Sequence, residues 1–447
     1  MLVMKFGGTS VETAEAIGRV AEIVRQRVAM RPVVVVSAMG KTTNKLLAIG
    51  HRAIAGEVAA ALAGLAELRD FHLHESDGLE TVTGLFDQLS SLVNGLAVIG
   101  ELTPRATDAL CSFGERISSL IVTALFRKRG IDAVHIDARD LIVTDKRHTQ
   151  AAPVWAQTNA RLAKALPDLA SAHVVVMGGF IASTEEGVTT TLGRGGSDYT
   201  ASIVGAGIGA QEIQIWTDVD GILTADPTIL PGGYRVKVCS FAEAAELAYF
   251  GAKVLHPATV LPASEKNIPV RILNSRRSEV EGTLIVSHPP ASSTPIRSIA
   301  CKRNITLMNI VSSRMLMAHG FLRRIFEVFD RFETPVDMLA TSEVSVSLTV
   351  DNAGWLEAIR REIETFAEVS VEENQAIICL VGENIRNSPG VSPRLFTALG
   401  GTKARMVSQG ASQLNISLVV AGGDLVRAVE SLHREFFRSP DPASFAF

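Results

Sequence analysis

The segment Thr190–Ala201, TTLGRGGSDYTA, sets Gly193, Arg194, Gly195, Gly196, Ser197 and Asp198 side by side, with Gly187 nearby. Glycines let backbone N–H groups approach an anion closely. The start of a helix adds unpaired N–H donors and the positive end of its dipole. A guanidinium grips a planar carboxylate or a phosphate in two places, and Asp198 is placed to orient a cation or a lysine. These are the parts of a phosphoryl-transfer site with an anionic acceptor. A plain glycine turn capped by Ser197 or Asp198 would use the same residues, so the chemical reading needs support from elsewhere in the chain.

The amino terminus supplies it. Leu2–Phe6 is a short apolar run suited to a buried parallel strand. Gly7-Gly8 follows as a tight turn, and Thr9-Ser10-Val11-Glu12 has the spacing of a capping box with Thr9 or Ser10 as N-cap. Ile17, Ala21, Val24 and Val28 then recur at helical spacing. Lys5 falls at the carboxyl end of the strand, where open α/β sheets place ligands, and can neutralise a transferring phosphoryl group. The plainer alternative is a lysine snorkelling at a strand end.

Four further stretches carry polar groups at the ends of expected elements. Ser37–Asn44 (SAMGKTTN) offers hydroxyls from Ser37, Thr42 and Thr43; it is not a P-loop, because the glycine required five positions before Gly40 is Val35. Protein-kinase signatures are absent. Phe113-Gly114-Glu115-Arg116 reads as a helix opening, with Glu115 either holding a substrate ammonium or complementing the helix dipole. Thr217 and Asp218 end an apolar run and could contact a nucleotide; Lys253, in Gly251–Pro257 (GAKVLHP), is a second lysine for phosphates.

The elements that must position these groups follow from the apolar pattern. Val33–Ser37, Val174–Met177, Ile213–Thr217 and Pro269–Leu273 are parallel-strand candidates, with Cys111–Arg129 helical and residues 45–110 a helical insertion rich in Ala and Leu. This is an α/β/α layered domain over 1–290. Ser287–Ser298, rich in Pro and Ser, reads as a linker. Beyond it two βαββαβ patterns occupy 298–447, one over about 313–385 and the other from the flanking 298–312 plus 386–447. The chain has 447 residues and a formal net charge of -4, which gives no electrostatic case for nucleic acid or an anionic membrane. No apolar run reaches the roughly 20 residues of a membrane span. The four cysteines are far apart with no CxxC, so a reducing, cytoplasmic compartment is expected and a disulfide framework or zinc site is not.

KFGGTS (5–10), SAMGKTTN (37–44), FGER (113–116), GRGGSDYTA (193–201), TDVDG (217–221) and GAKVLHP (251–257) occur in that order, and together they resemble aspartate kinase. GFLRRIFEVF (320–329) and VDMLATSEVSVSLTVD (336–351) resemble its paired regulatory ACT domains. The resemblance covers nearly the whole chain and is to the monofunctional form. It implies a three-layer amino-acid kinase domain of the carbamate kinase-like type, followed by two ferredoxin-like α+β ACT domains. The activity it implies is ATP-dependent phosphorylation of L-aspartate on its β-carboxylate, with ATP and Mg2+. Lys5 would stabilise the phosphoryl group, with Gly7 and Gly8 beside it, and Asp198 would orient Lys5. Arg194 would hold the α-carboxylate of aspartate and Glu115 its ammonium, with Ser37, Thr43, Gly195 and Ser197 lining the pocket. Thr217, Asp218 and Lys253 would bind ATP. Two family positions that grip the nucleotide differ here, as Leu223 and Thr228. The ACT pair implies an amino-acid effector, lysine or alternatively threonine. It would sit against Met315, Ala318, Gly320, Phe321, Leu322, Val336, Asp337 and Ser342, in a homodimer or tetramer joined through ACT sheets. Another amino-acid kinase and a non-catalytic amino-acid sensor are the competing readings; the ACT tail opposes the first, and intact Lys5, Arg194 and Asp198 oppose the second.

Overall fold

The computed structural model describes residues 1–251, 257–312, 319–351 and 354–446. The chain divides into two compact units: Met1–Ile222, Lys237–Phe241 and Val254–Pro289 form the first, and Leu223–Val236, Ala242–Lys253 and Pro290–Phe447 the second.

The first unit is built on eight strands: β1 (Leu2–Phe6), β2 (Pro32–Val36), β3 (Ala133–His135), β4 (Val174–Gly178), β5 (Glu212–Thr217), β6 (Val238–Ser240), β7 (Val270–Asn274) and β8 (Thr283–Val286). Their order is β6-β8-β7-β5-β1-β2-β4-β3. Neighbours from β7 to β3 are parallel, and only β8 meets β7 antiparallel. β1 is central, with Lys5 in register with Val35 on one side and Ile215 on the other. Every residue of β1, β2 and β4 is buried, as continuous apolar runs require when helices cover both faces. The helices are α1 (Ala14–Arg25), α2 (Thr42–Ile54), α3 (Val58–Glu75), α4 (Glu80–Ile99), α5 (Pro104–Lys128), α6 (Trp155–Ala172) and α7 (Gly196–Ile208). Helices α2 to α4 are the expected Ala- and Leu-rich insertion.

Three local expectations are corrected. α1 starts later than the Thr9/Ser10 cap implied: Thr13 is the N-cap and its Oγ1 accepts from Ala16 N at 3.2 Å. Ser10 instead sits in a single 3-10 turn and bonds Ser275 Oγ at 2.7 Å. Glu115 lies in the middle of α5, not at a helix opening, so it does not serve the dipole of a helix start. Finally, α4 and α5 are each long and apolar enough to cross a membrane. In α5 this reflects a core position: 78% of its most apolar window is buried, and the same helix carries the buried carboxyls Asp108 and Glu115.

The second unit holds β9 (Ser298–Val311), α8 (Phe321–Arg331), β10 (Met338–Thr341), β11 (Ser345–Val350), α9 (Leu356–Ile363), β12 (Glu368–Val381), α10 (Val391–Leu399), β13 (Met406–Gln409), β14 (Asn415–Ala421) and α11 (Leu425–Phe436). Its antiparallel sheet runs β10-β11-β9-β12-β14-β13. The two βαββαβ patterns therefore share one sheet within a single chain. β9 and β12 run 14 residues each, longer than the strands expected from Ile305 and Ala376, because each serves both halves.

Residues 223–236 and 242–253 also pack in this unit, although a simple cut at 290 assigns them to the first domain. Polar contacts hold them there. Glu243 forms a fully buried ion pair with Arg297 at 3.2 Å, and Glu246 accepts from Ser412 Oγ at 2.8 Å and Asn415 Nδ2 at 2.7 Å. Thr224 Oγ1 and His433 Nε2 are 2.8 Å apart.

Gly179, just past β4, illustrates the tightness of the first unit: a Cβ there would lie 2.7 Å from Ser197 Cβ and 2.8 Å from Ser197 Cα at the start of α7. Gly179→Ala is expected to cost about 1–3 kcal/mol through overpacking. Gly84→Ala, on the exposed side of α4 with nothing within 4 Å, should instead stabilise by about 0.5–1 kcal/mol. Thermal melting of the two variants beside the parent checks both signs.

Candidate active site

Parallel strands deliver their carboxyl ends to one edge of the sheet, and the loops leaving β1, β2, β4 and β5 meet there. Lys5 Nζ stands 2.6 Å from Asp198 Oδ1, with the two side chains only 10% and 15% exposed. Asp198 occupies the first turn of α7, whose N-cap is Gly195 in the left-handed region (φ 71°), with no side-chain cap. That helix start thus offers backbone donors and a positive dipole end beside a lysine. The turn after β1 interlocks with the loop after β2. Gly40 N donates to Gly8 O at 3.0 Å, and a Cβ on Gly8 would fall 2.8 Å from both Ala38 O and Gly40 O.

Glu115 reaches the same place from α5. It is 3% exposed. Its Oε1 accepts from Ala38 N at 3.2 Å, while its buried Oε2 has no hydrogen-bond partner. Burial pushes this carboxyl up to about 8, against the pull of the Ala38 N–H and the Lys5 charge. A buried carboxylate oxygen left without a donor suits a ligand cation.

These groups line a cleft of about 370 Å³ that gathers Lys5, Gly8, Ser37, Thr43, Glu115, Gly195, Ser197 and Asp198 from the expected set. Lys41, Asn44 and Phe180 line it too. Lys41 and Asn44 belong to the SAMGKTTN stretch, so their neighbourhood was readable although no role was assigned to them. Phe180 had no signal; it follows Gly178-Gly179 with a left-handed backbone (φ 64°) and donates its N–H to Thr200 Oγ1 at 2.9 Å.

Other expected residues stand elsewhere. Arg194 is exposed and is not part of the cleft wall. Gly7 donates its N–H to Trp216 O at 3.0 Å, tying β1 to β5. Thr217 and the exposed Asp218 end β5, where Thr217 Oγ1 donates to Asp218 Oδ1 at 3.2 Å; neither lines the cleft. Leu223 O accepts from Ser298 Oγ at 2.6 Å, and Thr228 donates to Asp226 from both N and Oγ1 at 2.8 and 2.7 Å. Lys253 lies outside the described residues.

Of the effector set, Met315 and Ala318 also lie outside the described residues. Gly320 is the left-handed N-cap of α8, Phe321 is buried, and Leu322 is exposed. Val336 is half-buried. Ser342 Oγ is 2.6 Å from Ser345 Oγ. Asp337 already holds a cation: Lys302 Nζ is 2.7 Å from its Oδ1 and 2.8 Å from Asp351 Oδ2. Burial keeps the Asp337 carboxyl above its usual range even so.

Comparison with known proteins places this geometry. The amino acid kinase family pattern matches residues 1–274, and an ACT domain pattern matches 378–436. The chain is 39% identical to aspartokinase 1, chloroplastic, of Arabidopsis thaliana over 460 residues, covering 98% of this chain and 80% of that protein. Its fold is similar to E. coli aspartokinase III in complex with lysine and aspartate (T-state), with TM-score 0.85, 36% identity and coverage of 98% and 99%. It is also similar to the same enzyme in complex with aspartate and ADP (R-state), with TM-score 0.83, 35% identity and coverage of 98% and 100%. A cleft lined by Lys5, Glu115 and Asp198, carried with an ACT sheet in one chain, and likeness to such enzymes over 98% of the chain lead to one conclusion: the chain belongs to the aspartokinases, within the amino acid kinase family.

Proposed function

We propose that this protein phosphorylates the β-carboxylate of L-aspartate with ATP, giving 4-phospho-L-aspartate and ADP. The observation that carries the reading is that Glu115, whose buried Oε2 has no hydrogen-bond partner, lines the same cleft as the Lys5–Asp198 pair. It provides an anion for the α-ammonium within reach of a cation for the phosphoryl group. Arg194, exposed on the glycine loop, is free to close on the α-carboxylate bidentately. A β-carboxylate oxygen then bonds to the γ-phosphorus as the bond from that phosphorus to the β,γ-bridging oxygen breaks. The attacking carboxylate is already ionised near pH 7, so no general base is required. Catalysis rests on positioning and on charge stabilisation by Lys5, held in place by Asp198.

Magnesium would be held by the nucleotide's phosphate oxygens and water and would supply charge neutralisation there. Thr217, Asp218 and Lys253 would receive the nucleotide. Lysine is the effector favoured by the complex of the E. coli enzyme. In this chain its ammonium would have to exchange with Lys302 at Asp337. Exposed Leu322, Phe326, Leu339 and Val344 on the second unit offer apolar surface for a dimer.

Hydroxamate trapping of acyl phosphate, with ATP, magnesium and L-aspartate, tests the activity; no product with aspartate at any effector concentration would overturn it. Lys5→Ala should lower turnover by at least roughly 10²–10³-fold, the loss expected for one stabilising donor, while circular dichroism and lysine binding stay unchanged.

Glu115 also predicts a pH effect. Its folded value near 8 lies above the ordinary value of 4.5, so the native state keeps a proton that the unfolded chain has lost. Stability without ligand therefore falls as pH rises through that window, and Glu115→Gln should flatten the fall. At pH 7 aspartate binding should release a proton from Glu115, seen by calorimetry in buffers of different ionisation enthalpy. The Gln variant should release none and raise the aspartate KM about 10- to 100-fold, as expected for a lost charge-assisted hydrogen bond.

A further inference from the structure

We infer that Asp108 is a positioning residue that sets the distance between the glycine loop and Glu115, and so holds the sites for the substrate's α-carboxylate and α-ammonium in register. The inference rests on the aspartate kinase reading. Asp108 is fully buried on α5, seven residues before Glu115 and therefore on the same side of the helix, about two turns away. Its carboxylate is surrounded by donors. Oδ1 accepts from Thr191 Oγ1 at 2.6 Å and Thr149 N at 3.0 Å. Oδ2 accepts from His148 Nδ1 at 2.7 Å and from the same Thr149 N at 3.1 Å. A buried carboxylate is stable only when satisfied in this way, so its partners are held to one geometry.

Those partners flank the glycine loop. Thr191 is two residues before Gly193, and its carbonyl accepts from Ala151 N at 3.0 Å. Thr149 has a left-handed backbone (φ 71°) that few side-chain-bearing residues adopt. Its carbonyl oxygen lies 3.1 Å from where a Cβ on Gly193 would stand. The 145–151 loop is braced further by Asp145, whose Oδ1 accepts from Ala152 N at 3.0 Å and Arg147 N at 3.2 Å. One helix thus carries two carboxyls with different duties. Glu115 faces the cleft with a free oxygen. Asp108, out of the cleft, fixes the stem from which Gly193–Asp198 departs. Since α5 is a rigid core helix, the span from the ammonium site to the carboxylate-binding loop is set by these four hydrogen bonds. Sequence offered no hint, because Asp108, His148, Thr149 and Thr191 come from three separate stretches and form no motif.

The test is a matched pair in the full-length protein: Thr191→Val, which keeps shape but removes the hydroxyl donor, and Thr191→Ser, which keeps the donor. Asp108→Asn is the stronger variant if it folds. Thr191→Val should raise the aspartate KM about tenfold, with the ATP KM within twofold. Thr191→Ser should restore the parent values. A general lowering of kcat with both KM values unchanged, or a lower melting temperature with normal kinetics, would overturn the inference and leave Asp108 a structural residue. If the parent protein forms no aspartyl hydroxamate, the aspartate kinase reading itself fails; parent activity with an unaffected Thr191→Val variant sinks only the role of Asp108.

Discussion

Lys5 and Asp198 hold one another 2.6 Å apart at the carboxyl end of the central strand, and much of the first unit can be understood as what keeps that pair in place with little water. A lysine in a strand buried along its whole length would lose hydration without compensation unless a carboxylate met it. The partner comes from the first turn of α7, so helix and strand must approach closely at their ends. Gly179 allows this, because any side chain there would collide with Ser197. The same ion pair leaves a cation poised beside a helix start, which is the electrostatic setting phosphoryl transfer needs.

Near this pair, helix α5 carries two carboxyls in opposite states of satisfaction. Both oxygens of Asp108 accept, from Thr191 Oγ1, His148 Nδ1 and a shared Thr149 N–H. Glu115, two turns along the same helix, keeps one oxygen without a donor and a raised proton affinity. The first arrangement is stable by itself and suits a structural role; the second is stabilised by a cationic ligand. Burial alone does not tell the two carboxylates apart, since both are removed from solvent. What separates them is the inventory of hydrogen-bond donors.

In the second unit Asp337 shows both states at once: its Oδ1 meets Lys302, while its buried Oδ2 has no hydrogen-bond partner. A carboxylate expected to await an effector ammonium is instead engaged by Lys302, which it shares with Asp351. Tyr249 lies close enough for the Lys302 ammonium to sit 5.7 Å from its ring centre. Residues 242–251 are held in this unit by Glu243 and Glu246.

The sequence by itself determined the α/β order of the first unit, the strand–turn–helix at Lys5, the glycine loop before α7 and the two βαββαβ patterns. All of these are local: apolar runs, glycine turns and helical spacing are written along the chain, and so are motifs such as KFGGTS and GRGGSDYTA. Short strands such as β3, β6 and β8 escaped, because two or three residues of apolar character carry no period. Only the tertiary structure decided that Glu115 lies mid-helix with a free oxygen, that Arg194 stands outside the cleft wall, and that Asp337 is already paired. It alone placed residues 223–236 and 242–253 in the second unit, and it alone joined Asp108 to Thr149 and Thr191. Each of these depends on which donors and acceptors meet across large sequence separations, and a chain of residue types does not record such meetings.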